Sequence, residues 1–137
     1  MSNDEKLLQD VWALAAAGHQ ESMIDHFHPD VVVVPYLSPG RVLGHGDFLA
    51  YVGEQTAGAS MREARADHID RVADGRFVVT GRVRWSRPGG GFFDSPAAWA
   101  VVVRDGAIYR LKAVASREDA VRVLDEDDWS PLVDSNV

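Results

Sequence analysis

The stretch from Arg76 to Val114 reads RFVVTGRVRWS (76–86), DSPAAWAVVVR (94–104) and AIYRLKAV (107–114), three runs rich in β-branched and aromatic residues. Arg87-Pro88-Gly89-Gly90-Gly91 separates the first two, and Asp105-Gly106 the last two. Proline presets a turn, glycine supplies positive φ, and Asp-Gly marks a two-residue hairpin. The stretch therefore predicts an antiparallel meander. Its apolar residues fall on both parities: Val78, Ala98, Ala100 and Val102 oppose Val79, Val83, Trp99 and Val101. One face can line an interior. The other is too apolar to stay bare, and predicts a twofold homodimer through the outer face of the sheet.

Upstream, Met61–Ala73 reads as a further strand, joined to the meander by Asp74-Gly75. Ala64, Ala66, His68, Asp70 and Val72 share one parity, with Ile69 the apolar exception on the other. Small apolar neighbours mark the buried side of a strand, so His68 and Asp70 are expected to face the interior. Before that, Ser2 and Glu5 have capping-box spacing. Leu7, Leu8, Val11, Trp12 and Ala15 then recur at helical spacing up to Gly18. A second short helix is expected over His19–Phe27, with Met23, Ile24 and Phe27 on one face, stopped by Pro29. Val31-Val32-Val33-Val34 reads as a strand ended by Pro35. Asp47 is the expected N-cap of a third helix that buries Phe48, Leu49 and Val52 and stops at Gly58. Downstream, Ser116 with Asp119 caps a last helix, Arg117–Leu124. One domain is expected over 1–124 and an acidic tail over 125–137, frayed unless Trp129 docks.

The 137 residues suit one domain, and the absence of cysteine excludes disulfides and thiolate chemistry. Net charge is −7, of which the seven acids and two arginines of 117–137 supply −5. A nearly neutral body with no clustered basic face argues against nucleic-acid binding. The polar, acidic start lacks a signal peptide's basic and apolar regions, and no apolar run approaches the ~20 residues of a membrane span. A cytoplasmic protein without membrane contact is expected.

The order is helix, helix, strand, helix, then four strands and a short helix. Phe27-His28-Pro29-Asp30-Val31 resembles the entry to the first strand in SnoaL-like proteins of the nuclear transport factor 2-like superfamily. Gly44-His45-Gly46-Asp47-Phe48-Leu49 resembles that family's third-helix start, Asp105-Gly106-Ala107-Ile108 its final hairpin, and Ser116-Arg117-Glu118-Asp119-Ala120 its closing helix. The resemblance spans roughly Asn3 to Leu124. It implies an α+β fold: a cone-shaped, strongly curved, mostly antiparallel sheet wrapped around N-terminal helices, with an apolar pocket and a dimer through the outer sheet face. Members include isomerases, polyketide cyclases, epoxide hydrolases, dehydratases and non-catalytic binders, so the fold does not give the function. In ketosteroid isomerases the general base is an Asp near the end of the first strand. That place falls on Pro35 here, and the acid of the oxyanion hole falls near Ala98–Ala100. Neither position carries a carboxylate, which argues against that chemistry.

His68 and Asp70 are the candidate catalytic pair, since an imidazole shuttles protons near neutral pH and a carboxylate can orient it. Trp85, Trp99 and Tyr109, on successive strands, are candidates for an aromatic wall around a flat or greasy ligand, with the Tyr36 phenol at its rim. His19, His26 and His28 lack metal-ligand spacing, and Gly89-Gly90-Gly91 lacks the lysine and helix of a phosphate loop. No metal and no cofactor are expected. The first reading is a protein that binds a small, largely apolar molecule in the cone. The alternatives are a cyclase, isomerase or dehydratase using His68 and Asp70 for proton transfer, and a non-catalytic dimerisation module whose pocket is filled by side chains.

Overall fold

The meander forms as its turn chemistry dictates, with β3 (Arg76–Ser86), β4 (Phe92–Arg104) and β5 (Ala107–Val114) antiparallel in sequence order. Asp105 and Gly106 both have positive φ, 55° and 74°, as a tight hairpin matched to strand twist requires. The computed structural model describes residues 3–35, 43–55, 61–87, 89–127 and 129. The expected β2 (Met61–Ala73) pairs antiparallel with β3. The first strand, β1 (Phe27–Val34), begins four residues before Val31 and pairs in parallel with β5, giving the order β1-β5-β4-β3-β2. The sheet is thus mixed, curled and unclosed, and only the β1–β5 pairing is parallel.

The curl has a cause in β2. Its thirteen residues oppose only ten of β3, Arg76 to Trp85. The register slips between Met61 and Glu63, between Ala66 and His68, and between Arg71 and Ala73. Each slip is a bulge that inserts one residue, bends the strand and raises its twist. Gly81 marks the middle one. A Cβ there would sit 1.7 Å from the Arg65 carbonyl oxygen, so only glycine lets the two backbones approach.

On the inner face lie α1 (Asn3–Ala16), a 3-10 turn over Gln20–His26, and α2 (His45–Gln55). They bury Leu8, Val11, Trp12, Met23 and Phe48 against Phe77, Val79, Val83, Trp99 and Leu111. Trp12 meets Trp99 edge-to-face at 5.3 Å, and Phe27 meets Phe48 at 4.9 Å. The third helix starts at His45, three residues earlier than an N-cap at Asp47 implies, and Asp47 instead accepts the Gly44 N–H (3.3 Å) from inside the first turn. Leu49, expected inside, is exposed. Ser2, Gly58 and Ser38-Pro39-Gly40, whose composition predicts a turn after the first strand, lie outside the described residues, as does the side chain of Val52.

On the outer face lies α3 (Arg117–Glu126), capped by Ser116 Oγ accepting from Asp119 N–H (3.2 Å). Its Ala120, Val123 and Leu124 cover Val78, Ala98, Ala100 and Val114, and Trp129 packs beside them. The outer apolar patch, expected to be covered by a second copy, is covered in part by the chain's own last helix. At the helix end, Arg76 Nη1 bonds the Leu124 carbonyl and Nη2 pairs with Asp127 at 2.8 Å.

Candidate functional site

The inner-face elements leave a cavity of about 70 Å³ between α1, the 3-10 turn, α2 and the sheet. Trp12 and Ala15 come from α1, Gln20 and Met23 from the turn, Phe48 from α2, Val33 and Val34 from β1. Ala64, Val83, Trp85, Trp99, Leu111 and Ala113 close it from the sheet. The Trp85 indole N–H donates to Ser95 Oγ at 2.7 Å, and its ring stacks on Phe93 at 6.4 Å. The tip of the β3–β4 hairpin thus abuts the cavity wall through Phe93. Among the described lining residues, Gln20 alone has a side chain with both donor and acceptor capacity, and none titrates near neutral pH.

Trp85 and Trp99 stand together on the cavity wall, as expected. Tyr109 does not. It sits where β1 bulges away from β5, the pairing stepping from Phe27↔Ile108 to Val32↔Arg110. His28 meets its ring edge at 5.1 Å, and the guanidinium carbons of Arg104 and Arg110 lie 4.0 and 3.7 Å from its centroid. Arg110 Nη1 donates to the Asp30 (3.0 Å) and Tyr109 (2.8 Å) carbonyls, tying β1 to β5 across this irregular step. Tyr109 therefore stands in a cluster with His28, Arg104 and Arg110, and is not among the described residues that line the cavity. Tyr36 lies outside the described residues.

His68 and Asp70 are on the opposite face from the one expected. Ala64 pairs with Val83 and Ala66 with Gly81, on the inner side; beyond the bulge at Asp67, His68 pairs with Thr80 and Asp70 with Val78, on the α3 side. The extra residue inverts the parity, so Ile69, the apparent exception, is the inward residue. His68 is exposed, and Asp70 lies 3.6 Å from Arg117 of α3. The pair does not reach the cavity.

Gln20 escaped the sequence reading. A helix with 3.6 residues per turn puts Met23, Ile24 and Phe27 on one face, but a 3-10 turn eclipses residues three apart. It therefore stacks Gln20 over Met23, and both are buried. The period-three pairing of an amide with a methionine just after the first helix was the available signal.

Beyond α3 the outer face is charged. Arg65 pairs with Glu63 (3.2 Å), Arg82 with Asp67 (3.8 Å) and Arg84 with Asp94 (2.9 Å). The Arg84 hydrogen bond holds the Asp94 carboxyl below its usual range, and Asp94 in turn raises Arg84.

A curled, unclosed sheet wrapped on N-terminal helices around an apolar cavity defines the nuclear transport factor 2-like class. Within it, residues 8–111 match the family model for the SnoaL-like domain, and the chain belongs to that family. No curated protein matches the sequence. Among similar solved structures is an NTF2-like protein of unknown function from Burkholderia pseudomallei, with TM-score 0.72 and 18% identity over 89% of this chain and 97% of that one. A candidate polyketide cyclase from Xanthomonas campestris has TM-score 0.66 and 16% identity over 88% and 95%. A Mycobacterium tuberculosis protein in complex with estradiol-17β-hemisuccinate has TM-score 0.69 and 14% identity over 85% and 95%. At these identities the likeness is one of fold. Among the described residues no helix is long and apolar enough to cross a membrane.

Proposed function

We propose that this SnoaL-like protein binds a small, largely apolar molecule in the inner-face cavity, and that binding rather than proton transfer is its chemistry. The observation that carries this is the lining: three tryptophans, a phenylalanine, aliphatic side chains, a methionine and one amide, with no side chain among the described lining residues that could serve as a general acid or base near neutral pH. The steroid-derived ligand in the Mycobacterium tuberculosis neighbour supports ligand binding as a use of this fold. Cyclase, isomerase or dehydratase chemistry through His68 and Asp70 draws no support from the cavity, because that pair sits on the α3 side. The unfilled space argues against a pure dimerisation module.

The same reading keeps a homodimer through the outer sheet face. The half not taken by α3 offers Glu63, Arg65, Asp67, Arg82, Arg84 and Asp94, equal numbers of both signs that a second copy can complement.

The test is a 1H–15N NMR titration with toluene, read at the indole N–H signals of Trp12, Trp85 and Trp99. Saturable shifts are expected, and Ala113→Leu, which fills the cavity, should remove them while the remaining spectrum stays folded. Shifts that persist in Ala113→Leu would place binding elsewhere.

A further inference from the structure

We infer that the ligand is an amphiphile, with an apolar end that fills the cavity and an anionic end, a carboxylate or similar group, that Arg87 holds outside it. This rests on the binding role proposed above and goes further by naming the ligand's polar group. The inner wall does not stop at the cavity. Trp85 lines the cavity and is 8% exposed, whereas Phe93, its cross-strand partner stacked on it at 6.4 Å, is 43% exposed. The pair carries one aromatic surface from the interior out to water. At its outer end the Arg87 guanidinium lies over the Phe93 ring, 5.0 Å from the centroid. The Arg87 backbone is fixed by the turn, its N–H donating to the Gly91 carbonyl (2.9 Å) and its carbonyl accepting from the Gly90 N–H (3.1 Å). The hairpin sets where this side chain starts, and the ring sets where it lies.

The charge balance around Arg87 points to an anion. Arg82 and Arg84, the two arginines before it, face the other side of the sheet and each hold a carboxylate, Asp67 at 3.8 Å and Asp94 at 2.9 Å. Among the described residues Arg87 holds none, and its guanidinium rests on Phe93 instead. Guanidinium N–H groups form a planar fork that matches a carboxylate, and a phenyl ring offers no such acceptor. The cavity sets the other end of the ligand. At about 70 Å³ and with mostly apolar and indole walls it takes only a small apolar group. An ion brought inside would lose its hydration without compensation. A ligand with both ends therefore lies across Trp85 and Phe93, its spacer on the rings and its charge where Arg87 stands. The net charge of −7 repels anions at long range, so a preference for an anion has to come from a local cation.

The test compares 4-phenylbutyrate with 4-phenylbutan-1-ol, which share a ring and a spacer and differ in the charged end. Both are titrated against the whole chain by the same indole N–H signals, with toluene alongside. Wild type at low salt should bind the acid about threefold to fivefold more tightly than the alcohol, the scale of one exposed ion pair. High salt should shrink that advantage. Benzoate, which has the charge without the spacer, should bind more weakly than toluene. Arg87→Gln should abolish the acid's advantage while toluene binding stays as in wild type, and Arg87→Lys, which keeps the charge, should retain part of it. Arg122→Gln, the same loss of charge on α3, should leave it unchanged. Equal affinities of acid and alcohol in wild type, or an advantage that survives Arg87→Gln, overturn the assignment, and toluene binding then leaves the binding role intact. An advantage lost equally in Arg122→Gln overturns it too. Failure of toluene and of both amphiphiles to bind wild type removes the binding role itself, and the assignment with it.

Discussion

At the scale of single residues, Gly81 carries more of the architecture than its size suggests. Any Cβ there meets a backbone carbonyl, which cannot rotate away as a side chain can. Gly81→Ala should lower the melting midpoint by on the order of 10 °C, a backbone-strain effect of a few kcal/mol. A midpoint within about 2 °C of wild type would mean that the middle bulge of β2 does not need the close approach. His68 gives the opposite expectation. Exposed on the α3 side and away from the cavity, it should tolerate alanine with a midpoint change of about 1 °C or less and unchanged toluene binding. Loss of binding in His68→Ala would reopen the catalytic pair as a candidate. Arg84 and Asp94 supply the pH-dependent contact. Asp94 is held below its unfolded value, chiefly by the Arg84 hydrogen bond, so its contribution is present above the unfolded pKa and disappears as pH falls through the lower folded one. The pair is open to solvent. Asp94→Asn should therefore change the acid limb of a thermal melt only slightly, and high salt should erase the difference.

At the scale of elements, α3 makes a cover out of one capped turn and three apolar residues. Removing the Ser116 cap with alanine should cost about 1 kcal/mol, read as a fall of a few degrees in the midpoint. No change would show that α3 is held by Ala120, Val123 and Leu124 alone. The meander was legible because its joints are chemical: Asp-Gly and a glycine run can hardly be anything but turns. The helix cap at Ser116 was legible for the same reason, an oxygen three residues from the N–H it accepts. The parallel pairing of β1 with β5 was not, since no local pattern records which distant strand becomes a neighbour. The faces of β2 were misread because a bulge adds a residue without any apolar mark of its own. Its mark lies on the other strand, in Gly81 facing Ala66. The cavity was half legible. Trp85 and Trp99 stood out as aromatics on neighbouring strands, whereas Gln20 looked like any surface amide until the 3-10 period turned it inward.

At the scale of the whole molecule, the sheet separates two layers with different tasks, a hollow inner one and an outer one shared between α3 and a field of paired charges. Should that field be the dimer face, the assembly will depend on salt, and the double charge reversal Arg65→Glu with Arg84→Glu should weaken it. Sedimentation showing only monomer at micromolar concentration would contradict the dimer. Because the first strand sits beside the last, the sheet closes its contacts late, and refolding should be slower than for a helical bundle of this length. The bulged edge strand has one more consequence, and it concerns how this chain can vary. In a strand of regular pairing, one added or lost residue throws every later side chain to the wrong side. Along β2 the inward positions run 64, 66, then 69, a wave whose phase has already jumped. An element that has absorbed three such jumps is where this fold can admit changes of length one residue at a time, and a scan of single-residue deletions should find Asp67 the most dispensable position in the middle of the strand.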